Sequence, residues 1–158
     1  MVNEHKKQFL ENQFISLIRE IDSSILPRWG KMNAQQMVEH VSAFFKVSSN
    51  KLNFSLATPA ELLPKYRKFL MSEKEFRENT KAPVLPEEPL PLQYATMNEA
   101  ITDLEKQVND FFSHFADDPE KKTLHPAFGE LNFEEWVQLH HKHVKHHLKQ
   151  FGIELPGV

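Results

Sequence analysis

Cysteine is absent from the 158 residues. That excludes a disulfide framework, a CxxC site and a cysteine nucleophile, and it fits the cytosol. Glycine occurs only four times, which argues against a turn-rich β fold; no phosphate-cradling glycine loop is found. Long hydrophobic runs are missing as well. None approaches the ~20 residues that span a bilayer, so no membrane partner is expected. Charge of one sign is not in excess: the net charge is -3 and no basic cluster stands out, which argues against nucleic acid as a partner. There is no Ser-His-Asp signature and no HExxH motif, so a zinc-protease reading fails. The opening MVNEHKKQFLENQF is charged and amphipathic, unlike a signal peptide.

What is present is aromatic and helical. Thirteen phenylalanines and a 40% hydrophobic share suit a core of long helices, and the length fits a single domain over residues 1–158. Phe9, Leu10, Phe14, Leu17, Ile18 and Ile21 recur at helical spacing and predict a first helix from about Asn3 to Ile21. Asn33 with Gln36 forms a capping-box pattern and opens a second helix running to about Val47. Thr58, Pro59 and Glu61 resemble another helix start, with Pro64 disturbing a short helix that ends near Met71. From Ser72 to Pro91 the chain turns polar and then proline-rich, KAPVLPEEPLP. This reads as an ordered, partly extended surface excursion, and such loops often cover a site. Ile101, Leu104, Val108, Phe111, Phe112 and Phe115 mark a third helix from about Met97 to Phe115. Asn132 and Glu135 form a second capping box, and Gly152 stops the last helix. No strand pattern is visible. The expectation is all-α: a four-helix bundle with a long irregular crossover between helices two and three.

The last helix, NFEEWVQLHHKHVKHHLKQF, holds five of the nine histidines. With each residue turned about 100° from the last, Phe133, Trp136, Val137, His140, Val144, His147 and Phe151 share a stripe about 120° wide. His143 lies at its edge, and His141 and His146 point away. His143 and His147 have the i,i+4 spacing that suits two ligands of one ion. His40 sits within the apolar stripe of helix two, among Met37, Phe44 and Val47, and needs a polar partner there. A bundle can bring His40 against His143 and His147, leaving a fourth position open as in a catalytic metal site. Zinc, nickel and iron all accept imidazole. Spacing alone leaves a packing role for these histidines equally open, and His140 competes with His143 for a place in the site. His125, in HPAFG, reads more simply as part of a turn with Pro126 and Gly129. Trp29 and Trp136 read as core or interface residues. Glu39 and Glu135 point away from the histidines, and Gln150 is positioned to support a ligand from behind.

PRWGKMNAQQMVEH, HPAFGELNFEEW and HKHVKHHLKQFG together resemble the DinB-like superfamily, in particular a branch of small bacterial proteins with WGKM, AQQM, EH and a closing HHLxQFG. The resemblance covers most of the chain and is weakest between residues 49 and 96. It implies a variant up-and-down four-helix bundle and a metal triad falling on His40, His143 and His147. It also implies zinc or nickel, a low-molecular-weight thiol as cosubstrate, a small-molecule substrate, and homodimers among relatives. The function it points to is a thiol-dependent S-transferase. A metal-dependent hydrolase and a non-catalytic metal-binding or stress-associated protein are the alternatives.

Overall fold

The predicted helices form, but the chain punctuates them differently. The computed structural model describes residues 1–80 and 84–155; Lys81, Ala82 and Pro83, where part of the extended excursion was expected, lie outside the described residues. The structure is mostly helical: α1 (Glu4–Asn12), α2 (Phe14–Arg19), α3 (Ala34–Ser48), α4 (Leu63–Met71), α5 (Met97–Ala116) and α6 (Phe133–Gln150), with a 3-10 turn at Ala60–Leu62 and strands β1 (Thr123–His125) and β2 (Gly129–Leu131).

Local chemistry sets most boundaries. The Asn33 side chain accepts from the Gln36 amide at 2.8 Å, and Gln36 answers by accepting from the Asn33 amide at 2.9 Å. Asn132 and Glu135 repeat the exchange at the start of α6, at 3.0 and 2.9 Å. Each box satisfies two N–H groups that a helix start leaves unpaired. Thr96 caps α5 through its hydroxyl. Gly152, at φ 92°, follows the end of α6 in the left-handed conformation that glycine adopts without strain.

Four expectations change. The first helix is interrupted at Gln13, whose φ of -124° is not helical, so α1 and α2 are separate segments. Pro64 does not disturb α4; it occupies the first turn, where its missing N–H costs nothing. Thr58 caps no helix: its hydroxyl donates to the Ala127 carbonyl at 2.7 Å. The connector before α6 is an antiparallel hairpin, Thr123 facing Leu131 and His125 facing Gly129. Its three-residue strands are too short to show alternation, so the strictly all-α expectation misses them.

α3 packs most extensively on α5, α1 lies along α6, and α3 also meets α6. The core joining them mixes aliphatic side chains with a connected set of phenylalanines. Phe14 stacks on Phe45, Phe45 meets Phe111 edge-on, and Phe111 packs against Phe115 and Phe133. Ser42 of α3 donates to Asp103 of α5 at 2.9 Å, which fixes the register of that pair. No helix among the described residues is long and apolar enough to cross a membrane.

Candidate metal centre

The two capped helices bring their histidines to one place. His40 is on α3, seven residues beyond its cap Asn33; His143 and His147 lie on the last turns of α6. The Nε2 atoms of His40 and His143 are 3.0 Å apart, as are those of His147 and His143. All three ligand atoms lie within 4.8 Å of one another. The rings are steeply tilted, at 71°, 76° and 75° for the three pairs. Tilted rings with Nε2 atoms this close do not stack; their ring nitrogens converge on one space. Two imidazole nitrogens about 2.1 Å from one ion stand roughly 3.0 Å apart at a right angle and about 3.4 Å apart at the tetrahedral angle. The donor set therefore fits a divalent ion.

Electrostatics points the same way. Burial lowers the pKa of all three, His40 to about 4, with neighbouring histidines adding repulsion. At neutral pH the imidazoles are uncharged, which is the ligating form. His40 and His143 are partly buried and His147 is buried. Phe44 meets the rings of His40 and His143 edge-on at 5.1 and 5.2 Å. Phe76 lies 6.4 Å from His143 and 5.8 Å from His146.

Phe76 belongs to the excursion, and two buried lysines tie that segment down. Lys6 of α1 binds both carboxylate oxygens of Glu73, at 2.7 and 2.8 Å, and the Gln138 oxygen at 2.9 Å. Lys142 of α6 donates to the carbonyls of Ser72 and Lys74. The Glu39 carboxylate accepts from the Gln93 and Tyr94 amides, so it anchors the far end of the same excursion and points away from the histidines. Glu135 is occupied by its cap and by Arg67. Nothing in the sequence marks Phe76, Lys6 or Lys142 for these roles, since the excursion has no periodicity and the lysines stand 67 to 70 residues from the excursion residues they bind.

The remaining histidines sort by their protons. Ser48 gives its hydroxyl proton to the Phe45 carbonyl at 2.8 Å, so its oxygen accepts from His140 Nε2 at 2.9 Å. His140 is sandwiched between Phe45 and Trp136 and is a core residue. His125 Nδ1 accepts from the Ala127 and Phe128 amides at 2.9 and 3.3 Å, which closes the hairpin turn. The expected outward pair is half-buried instead. His141 meets Phe9 of α1 edge-on, and His146 lies between Trp29 and Phe76. α1 and the excursion cover the face that helical phase alone assigned to solvent. Gln150 does stand behind a ligand: its Oε1 is 2.8 Å from His147 Nδ1.

A family model described as Protein of unknown function (DUF1569) matches residues 12–153. No curated protein and no solved structure matches the chain.

Proposed function

The chain belongs to the DUF1569 family, proteins of unknown function, and from its site we propose that it is a divalent-metal-dependent enzyme transferring a small external thiol to an electrophilic small molecule. The observation that carries this reading is the donor set: three neutral, convergent imidazoles, two of them only partly buried, with no carboxylate in the group. We further place the chain in the DinB-like superfamily, with α1 and α2 acting as one broken helix beside α3, α5 and α6 in a variant up-and-down four-helix bundle.

A divalent ion on these residues would supply Lewis acidity, lowering the pKa of a coordinated thiol or water. Three neutral ligands leave the dipositive charge uncompensated, which favours an anionic fourth ligand such as a thiolate. The chain has no cysteine, so the thiol comes from outside. His40, His143 and His147 would hold the ion. Phe44 and Phe76 lie beside these rings and lower the local dielectric, which favours an apolar electrophile over a charged one. Several core contacts, Phe14 on Phe45 and Phe111 on Phe115 and Phe133, involve none of the three ligand histidines, which argues for a catalytic rather than a structural ion.

The test is conjugation of glutathione or bacillithiol to a chromogenic electrophile by zinc- or nickel-loaded protein. Turnover that disappears on chelation and in His143→Ala supports the proposal. Ester hydrolysis without any thiol requirement would replace it with the hydrolase alternative. Loss of folding on chelation would favour a structural ion.

A further inference from the structure

Gln150 is buried, only 3% exposed, and its amide is held at both ends. Nε2 donates to the Trp29 carbonyl at 2.9 Å. A carbonyl can only accept, so this bond decides which end of the amide faces Trp29 and turns Oε1 towards His147. Oε1 in turn only accepts, so the proton between it and His147 Nδ1, 2.8 Å away, belongs to the histidine. His147 Nε2 then keeps its lone pair, directed at the position shared with His143. The backbone carbonyl of Gln150 also accepts from the Arg28 amide at 2.7 Å. One residue at the end of α6 thus pins the Arg28–Gly30 turn through its main chain and its side chain together. Gly30 has φ +79°, and a Cβ there would stand 3.0 Å from Gln150 Nε2. A side chain there would be strained by the positive φ and would press on the amide, which would have to shift by a few tenths of an ångström.

We infer that Gln150 is a positioning residue that, anchored by the Trp29–Gly30 turn, holds His147 in its Nδ1–H tautomer and so presents Nε2 as the ligand atom. Gln150 acts only through His147. The inference rests on the metal reading above for its purpose, but the tautomer can be read without metal. An exposed turn remote from the ligand atoms thereby becomes part of what sets metal affinity, because a ligating histidine depends on the group that receives its other N–H.

Histidine 15N–1H correlation spectra of metal-free protein report the tautomer, and zinc titration against a competing chelator reports the affinity. Wild type should show His147 as Nδ1–H. Gln150→Ala should lose that preference and bind zinc about 10–100-fold more weakly. Gln150→Glu keeps an acceptor for the Nδ1 proton but loses the donor to the Trp29 carbonyl, so it should restore the Nδ1–H form while leaving the turn unpinned by the side chain. Gly30→Ala, which touches no histidine, should also weaken zinc binding. Far-UV circular dichroism identifies any variant that does not fold; the others then carry the comparison. A folded Gln150→Ala with wild-type tautomer and wild-type affinity overturns the inference, as does a wild type with the proton on His147 Nε2. A wild type that binds no zinc yet shows Nδ1–H sinks the metal reading alone.

Discussion

His140 and His143 lie three residues apart on one helix, and their surroundings give them different chemistry. His140 lies nearest the centre of the apolar stripe, so it is buried deepest, and its Nε2 proton is given to Ser48. His143 lies at the stripe's edge, where α6 meets α3 and solvent can still reach. A ligand with an open coordination position needs that edge. Truncating His143, His147 or His40 to Ala should abolish stoichiometric zinc binding, measured by titration. His140→Ala should keep one site per chain but destabilise the fold by about 2–4 kcal/mol, because it leaves a cavity between Phe45 and Trp136. His141→Ala should also keep the site. Loss of zinc in either of these last two variants would mean the ligand set is misassigned.

His125 adds a pH dependence of its own. Burial lowers its pKa to about 3, below the unfolded value, so acid favours the unfolded chain. Its contribution to stability is complete above about pH 6.5 and is lost as pH falls from there towards about 3, with a slope of at most about 1.4 kcal/mol per pH unit. His125→Asn can still accept from the turn amides but does not titrate. Urea melts of metal-free protein between pH 6.5 and 4 should show a shallower pH slope in the variant; equal slopes would contradict the assignment.

Among the elements, those governed by short-range rules were legible. Asn33 with Gln36 and Asn132 with Glu135 announce their helix starts because each box is complete within four residues. Asn132→Ala should accordingly cost about 1 kcal/mol, read by urea denaturation. The break at Gln13 has no glycine or proline to mark it, and the hairpin strands are shorter than one readable period. The path of Ser72–Phe76 was invisible for another reason: it is set by Lys6 and Lys142, partners distant in sequence. Lys6→Met should release this segment while leaving α6 in place. Hydrogen exchange should then quicken at residues 72–76 and not at 133–150; unchanged exchange at 72–76 would show that the lysine does not hold the excursion.

At the scale of the whole molecule, the phenylalanine core runs from Phe14, Phe45 and Phe111 to Phe44, which borders the histidine group. Composition pointed to the core, and helical phase with a family resemblance pointed to the three histidines; their convergence to 3.0 Å required the relative placement of α3 and α6, which no single stretch encodes. Because the core is closed without the ion, metal-free protein should stay folded. Zinc at about 1,000 times its dissociation constant should then add about 4 kcal/mol, raising Tm by roughly 8–16 °C. Scanning calorimetry with and without zinc checks both statements.

The most direct test of the three-histidine centre is elemental analysis of protein purified without an affinity tag, wild type beside His147→Ala. The account predicts about one divalent ion per chain in the wild type and none in the variant. A wild type that takes up no zinc, nickel or iron even after incubation with each would contradict it.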